Sequence, residues 1–489
     1  MAISAALLPS FAYKRHEPSK TLLYQIIENH YPEFADLMEA QGRRLPDFVQ
    51  RTFSDYLKCG LLENGFIRVR CDQCHDERLV AFSCKRRGIC PSCGTRQMAE
   101  TAKLLVDDVI PHQPVRQWVL TFPYQLRFLF ACYPEILTAV LAIVLRAVST
   151  HLVHKAGYSN RQAQTGTVTL IQRFGSALNL NIHMHMLFLD GVYRKTTHGL
   201  YFHRVKVPTQ RELQSLVHTL SHRIGRFLER KGLLVRDIEN SYLQLDGLES
   251  SPMDDVLGHS ITYRVAVGPQ AGTKVFSLQT VPAQELSRKP YVATESGFNL
   301  HAGVIAQAHQ RDKLERLCRY ICRPPIAEER LSLTSSGLVR YALKTPFRDG
   351  TTHVVFQPLD FISKLAALIP RPRMNLTCYS GVFAPNHRWR SQVTPAGRGS
   401  GRATNDTAKD EPASHRRNMT WAQRLKRVFA IDIERCDSCG GPVRLIACIE
   451  EPEVIDKILN HLRQIGKLEP SIRQDNRLPP LRAPPDVVF

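Results

Sequence analysis

The spacing of apolar residues divides the 489-residue chain into segments of helical and strand character. Over 20–59, Leu22, Leu23, Ile26 and Ile27, then Phe48, Phe53 and Leu57, recur at helical intervals and predict helices. The run RQWVLT at 116–121 reads as a strand stopped by Phe122-Pro123. A long apolar helical stretch spans Leu129 to Val153, with a fresh start at Pro134, because proline breaks a helix interior. Two further strands follow, TVTLI at 167–171 and LNLNIHMHMLFL at 178–189, the second closing on an Asp190-Gly191 turn. Leu213, Leu216, Val217, Leu220, Ile224, Phe227 and Leu228 mark an amphipathic helix over 208–232. Residues 260–281 read as a hairpin and 302–323 as a helix. Residues 390–418, rich in Gly, Ser, Thr, Pro and charge, read as a flexible linker. A short basic helix, Trp421–Val428, then leads to a last cysteine pair. The elements predict an α+β chain without internal repeats.

Composition adds a partner. Lys and Arg number 65 against 45 Asp and Glu, a net charge of +20, which points to a polyanion such as nucleic acid. No stretch is expected to supply the ~20 apolar residues of a membrane-spanning helix. Met1–Tyr13 lacks the basic start of a signal peptide, so an intracellular chain and no membrane partner are expected. Thirteen cysteines in a reducing compartment then call for an explanation other than disulfides.

Six of them fall within 59–93. Cys71-Asp-Gln-Cys74 and Cys90-Pro-Ser-Cys93 are separated by 15 residues, and two such turns complete the four thiolates that Zn²⁺ prefers. Four protein ligands make a closed, structural site, with Cys84 and His75 as substitute ligands inside the loop. Lys85-Arg86-Arg87 in the same loop suits phosphate contact or is a solvated charge run. Near the C-terminus, Cys436-Asp-Ser-Cys439-Gly-Gly is half of a second zinc knuckle, with Cys448 and His461 as candidates to complete it. Arg424, Lys426 and Arg427, with Arg388, Arg390, Arg398, Arg402, Arg416 and Arg417 around the linker, would add non-specific DNA affinity or simply be solvated.

Strand alternation places His183 and His185 on one face of the 178–189 strand, about 7 Å apart, with Asn179 and Asn181. The other face is wholly apolar. A pair of neutral imidazoles so placed is half of a divalent-metal site. In LERLCRYICR, Leu314, Leu317, Cys318 and Ile321 form a buried helical stripe, and Arg316, Tyr320 and Arg323 another face. A phenol between guanidiniums is a candidate nucleophile, since positive charge favours its anion.

The stretches FIRVRCDQCHDERLVAFSCKRRGICPSCGTRQMAET, FGSALNLNIHMHMLFLDGVY, GFNLHAGV, LERLCRYICRPPIAEERL and RCDSCGGPVRLIA together resemble the HUH superfamily of DNA-nicking enzymes, and within it the rolling-circle insertion-sequence and common-region transposases. By that resemblance His183-Met184-His185 stands as the HUH motif, Tyr320 as the catalytic tyrosine and the 71–93 cysteines as an N-terminal transposase zinc-binding domain. Some relatives carry a second tyrosine one turn earlier. Arg316 stands there, so the chain resembles the single-tyrosine, common-region branch.

The resemblance implies a central antiparallel sheet with flanking helices, with a zinc ribbon before it. The expected domains are a helical region over 1–58, a zinc-binding DNA-binding domain over 59–110 and a catalytic domain over 111–389. The linker at 390–418 and a basic, CxxC-containing module at 419–489 would follow. It implies Mg²⁺ or Mn²⁺ held by His183, His185 and a third ligand, His301 first and Gln307 or His309 behind it. Tyr320, flanked by Arg316 and Arg323, would nick single-stranded transposon ends and form a 5′-phosphotyrosine bond. No GxxxxGK[ST] phosphate loop is present, in keeping with strand transfer that needs no ATP. Homo-oligomerisation is compatible with this reading. A plasmid replication initiator or relaxase would share the chemistry, and a non-catalytic zinc-finger DNA-binding protein would share the charge.

Overall fold

The computed structural model describes residues 17–86, 88–236, 241–244, 251–283, 290–397, 435–436, 438–466 and 468. The helical periodicity at the start becomes α1 (Leu22–Ala40) and α2 (Asp47–Lys58), which bury Leu23, Ile26, Ile27, Val49 and Phe53. Thr21 caps α1, its hydroxyl accepting the Tyr24 amide at 3.3 Å. Two strands, β1 (Phe66–Cys71) and β2 (Glu77–Ala81), lead to α3 (Pro91–Leu104), which has proline in its first turn and continues as a π-helical turn over Leu105–Val109.

Then come β3 (Val115–Thr121), α4 (Tyr124–Cys132) and α5 (Pro134–Lys155), with the expected restart at Pro134. A short β4 (Ala163–Gln164) precedes the two expected strands, β5 (Gly166–Phe174) and β6 (Leu180–Leu189). The chain turns at Asp190 into β7 (Gly191–Thr196) and β8 (Gly199–Arg204), then into α6 (Gln210–Arg230), opened by a Thr209/Glu212 capping box. A small hairpin, β9 (Leu234–Arg236) and β10 (Ser241–Leu243), leads to α7 (Asp254–Ile261) and β11 (Phe276–Gln279). Next are β12 (Val292–Glu295), β13 (Phe298–Ala306) and α8 (Arg311–Cys322). The strands β14 (Leu331–Leu333), β15 (Val339–Ala342) and β16 (Thr351–Phe356) precede α9 (Pro358–Leu368), β17 (Thr377–Gly381) and α10 (Arg390–Val393). The described chain ends with β18 (Val443–Ile449) and α11 (Pro452–Gln464).

The principal sheet has six strands in the order β12-β13-β3-β6-β5-β17, antiparallel throughout, with β6 inside it as expected. Leu180, Ile182, Met184, Met186 and Phe188 of β6 are fully buried. They share a core with Leu129 and Phe130 of α4, Val140 and Val144 of α5, Val256 of α7 and Phe361 and Leu365 of α9. The opposite face is covered over only part of its length. Leu187 and Leu189, with Val168 and Leu170 of β5, lie under Leu105 and Val109 and under Leu314, Cys318 and Ile321 of α8.

A buried ion pair locks three chain segments of this sheet together. The Arg116 guanidinium on β3 is bidentate to the carboxylate of Asp190, at 2.7 and 3.0 Å, and donates to the Ala302 carbonyl of β13 at 3.1 Å. Both side chains are at most 2% exposed.

Several sequence expectations change. Residues 260–281 are not a strand hairpin: α7 runs into them, Arg264 and Lys274 form one isolated bridge, and β11 pairs with β16 instead. Asp360 of α9 explains this locally, because its carboxylate accepts the Ala266 amide at 2.8 Å and holds the turn on α9. Residues 302–306 are strand, not helix, because Phe298, Leu300 and Ala302 bury alternate positions against the sheet before α8 begins. The expected linker starts later, since Arg390–Val393 is helical with Trp389 and Val393 buried. Its remainder from 398 and the expected basic helix at Trp421–Val428 lie outside the described residues. Contrary to expectation, α5 is long and apolar enough to cross a membrane by length and composition, but its stripe from Leu137 to Val153 packs into the core.

The Arg116–Asp190 pair generates a prediction. Asp190→Ala leaves a buried guanidinium without its counter-charge and should destabilise the chain by about 3–5 kcal/mol. Urea denaturation of the two proteins measures this, and a loss below about 1 kcal/mol, the scale of a surface ion pair, would show that the pair is not a buried anchor.

Candidate active site and metal centres

The sheet's half-covered face brings the histidines and the tyrosine together. His183 and His185 project side by side from β6, their ring centroids 4.9 Å apart. Nδ1 of His183 lies 2.8 Å from the Asn181 carbonyl, which only accepts, so Nδ1 carries the proton and Nε2 keeps a lone pair. Nδ1 of His185 meets the side-chain amide of Gln117, on β3, at 2.7 Å. The Gln117 Nε2 amide N–H donates to that nitrogen, so Nδ1 of His185 is the acceptor and Nε2 carries the proton. Burial pushes His183 down to about 4 and His185 down to about 2, so both rings are neutral near pH 7, the form that binds metal.

Seating Leu314, Cys318 and Ile321 on the sheet leaves Tyr320 at the edge of the covered region. Its ring centroid is 6.5 Å from that of His185, nearly perpendicular to it, and the residue is 42% exposed. The side chain is thus beside the histidines and open to a large substrate. Helical spacing put Arg316 and Arg323 around it, and the structure brings only Arg323 to the ring. The Arg323 guanidinium carbon is 4.1 Å from the Tyr320 centroid, and Nη1 donates to the Tyr320 carbonyl at 2.7 Å. Arg316 is exposed one turn away, and the second cation over the ring is Lys344, with Nζ at 4.9 Å. Lys344 follows β15, and nothing in the sequence near Tyr320 announces it.

The expected third ligand does not join the pair. His301 shares a cross-strand row with His185, but Val119 lies between them, which sets their backbones about 10 Å apart. Its ring rests over Gly303, where a Cβ would sit 2.7 Å from His301 Nε2, so that resting place requires glycine. Gln307 and His309 lie in the turn before α8, where the Gln307 amide donates to Gln310 Oε1 at 3.1 Å. Among the described residues no third His, Cys, Asp or Glu groups with His183 and His185. Gln172, the β5 partner of His183, is buried, with Nε2 donating to the Ile321 carbonyl and Oε1 without a hydrogen-bond partner.

The cysteines regroup. Cys71, Cys74, Cys90 and Cys93 do not form one site. Instead Cys90 and Cys93 cluster with Cys59 and Cys84, and Cys71 and Cys74 with Cys436 and Cys439. The reason lies in the elements that carry them. Cys59 ends α2, while Cys90 caps α3 and Cys93 lies in its first turn, so helix packing converges them. Cys71 ends β1 on the far side of the small sheet. In the first cluster Sγ–Sγ distances are 3.8 Å for Cys59–Cys90, 3.7 Å for Cys59–Cys93 and 3.7 Å for Cys84–Cys93. Four sulfurs about 2.3 Å from one Zn²⁺ lie about 3.8 Å apart, so the set fits a tetrahedral ion. Hydrogen bonds from Cys59 and its neighbours hold the Cys93 thiol well below its ordinary range. His75 is exposed outside both clusters, and in the adjacent loop Arg86 pairs with Asp55. Cys448 is also exposed, against Glu450, and His461 is exposed on α11, so neither completes the C-terminal knuckle.

A pH dependence follows from His185, which is 6% exposed. Its folded form stays neutral down to about 2, whereas the unfolded imidazole takes a proton near pH 6.5. The unfolded chain therefore binds more protons across that window, and stability rises with pH through it. Between pH 6.5 and 5 this histidine should remove up to roughly 1.4 kcal/mol per pH unit as acid is added. Denaturation midpoints over that range should show a shallower slope for His185→Gln, and parallel slopes would contradict the neutral, buried assignment.

Two segments of the chain are similar to known protein families. Residues 166–391 match the family described as "Putative transposase", and residues 26–122 match the transposase zinc-binding domain. No curated protein and no solved structure matches the chain. The first match spans β5, β6 and the tyrosine helix, and the second spans all four cysteines of the first cluster. One segment of the chain is thus similar to a transposase zinc-binding domain and holds the first cysteine cluster, and a later segment is similar to the putative transposase family.

Proposed function

We propose that this transposase nicks and transfers single-stranded DNA by rolling-circle chemistry, with Tyr320 as its single nucleophile. The observation that carries the reading is the exposed Tyr320 ring beside His185, under the cations of Arg323 and Lys344. The Tyr320 oxygen attacks the scissile phosphorus in line, and the 3′ oxygen leaves and takes up a proton. The product is a 5′-phosphotyrosine ester, which retains the bond energy of the phosphodiester, so rejoining to a new 3′-hydroxyl needs no nucleotide cofactor. Arg323 and Lys344 place positive charge over the Tyr320 ring, where the anionic phosphate must approach.

His183 and His185 would hold Mg²⁺ or Mn²⁺ through ring nitrogens, and two neutral imidazoles fit such an ion. When bound, the ion polarises the phosphate and offsets charge building on its oxygens. The buried, unpartnered Gln172 Oε1 is the better candidate for a third donor than His301, because it sits opposite His183 in register. The net charge of +20 supports DNA as the partner, and a cytoplasmic, nucleoid-associated location goes with that substrate. Arg316 in place of a second tyrosine supports the single-tyrosine branch.

Labelled single-stranded oligonucleotide carrying the element's end, incubated with Mn²⁺ and run on a denaturing gel, tests the mechanism. Tyr320→Phe should bind the oligonucleotide but give no covalent adduct, and His183→Ala should lose the metal-dependent adduct. A cation over an exposed aromatic ring is worth about 1 kcal/mol, so Arg323→Ala should slow adduct formation roughly 5-fold. An undiminished adduct in Tyr320→Phe would move the nucleophile elsewhere.

A further inference from the structure

We propose that Cys71, Cys74, Cys436 and Cys439 hold a second zinc ion, which clasps the C-terminal segment onto the zinc-binding domain. Half of this ligand set lies beyond both family matches. The ligand atoms all lie within 4.8 Å of one another, with Cys71–Cys439 at 3.4 Å and Cys74–Cys436 at 3.5 Å. These separations are those of sulfurs sharing one tetrahedral ion.

Backbone amides turn toward the sulfurs as they do around a bound thiolate. The Gln73 amide donates to Cys71 Sγ and the Gly441 amide to Cys439 Sγ, each at 3.4 Å. The two turns interlock, since the Asp72 amide donates to the Pro442 carbonyl at 2.9 Å. The Gln73 side chain folds over Gly441, where a Cβ would lie 2.7 Å from Gln73 Oε1.

The surrounding structure is arranged for the same closure. β18 pairs antiparallel with β1 from Phe66–Ile449 to Cys71–Val443 and completes the three-stranded sheet β18-β1-β2. Beyond it, Ile455 and Leu459 of α11 pack on Leu62 and Phe66. Arg444 pairs with Asp72 at 2.9 Å, and Arg463 with Glu63 at 3.1 Å. Among the described residues that core has four buried side chains with a few partly buried ones around them, and a core so small gains from a metal or another staple. Four thiolates leave no open coordination position, so the ion is structural.

Metal analysis of the full-length protein tests the proposal. The unaltered chain should carry two zinc ions, and both C436S/C439S and C59S/C84S should carry one. Two zinc ions in C436S/C439S, or one in the unaltered chain, would overturn it. Alkylation of the unaltered protein during zinc withdrawal by a chelator gives a measurement independent of any variant's folding. Cys71, Cys74, Cys436 and Cys439 should become reactive together, at a rate distinct from that of Cys59, Cys84, Cys90 and Cys93. The exposed Cys448 reacts from the outset and serves as reference. Free reaction of Cys436 and Cys439 from the outset, with Cys71 and Cys74 released alongside Cys90 and Cys93, would equally refute it.

Discussion

Burying the Leu180–Phe188 face of β6 under α4, α5, α7 and α9 fixes the register of the six-stranded sheet. A slip of one residue would turn five fully buried side chains outward and drive His183 and His185 into the apolar core. At about 2 kcal/mol for each buried aliphatic or aromatic side chain, the native register is favoured by on the order of 10 kcal/mol. The site depends on this. With that face sealed, His183 and His185 of β6, Gln117 of β3 and Gln172 of β5 share the other, and α8 covers only its apolar end.

How much of this could be read from the chain alone depended on whether a contact was local. Period-two alternation in LNLNIHMHMLFL shows both faces of β6, and the 3.6-residue stripe of LERLCRYICR shows the buried side of α8. Neither pattern says what lies opposite. Gln117 reaches His185 through the pairing of β3 with β6, and Lys344 reaches Tyr320 from a loop after β15, so spacing offered Arg316 instead. The cysteines failed differently. The CxxC spacing correctly marks two-sulfur turns, but a turn's partner is set by sheet pairing and helix packing, which separated 71–74 from 90–93.

The zinc-binding and transposase domains meet along a helix. Cys90 and Cys93 stand at the start of α3, and its far end, with the π-helical turn, packs against α8. Arg311, the first residue of α8, donates to the carbonyls of Pro111 and Ile110 at 3.0 Å each and to that of Val106. The orphan carbonyls that end the α3 extension are thereby satisfied by the helix that carries Tyr320. Contacts run from a cysteine cluster along α3 to the helix that carries Tyr320, so the position of that phenol depends on how α3 packs.

The two cysteine clusters differ sharply in when they become complete on the ribosome. The first draws on thiols no more than 34 positions apart and closes soon after its segment emerges. The second pairs Cys71 with Cys439, 368 positions later, so a nascent chain carries half a cluster until the whole transposase domain has been translated. A product truncated anywhere before Cys436 keeps a frayed β1 edge and two unmatched thiols, features that cellular quality control removes. Completion of the last turn thus marks a chain that has been synthesised through Cys439.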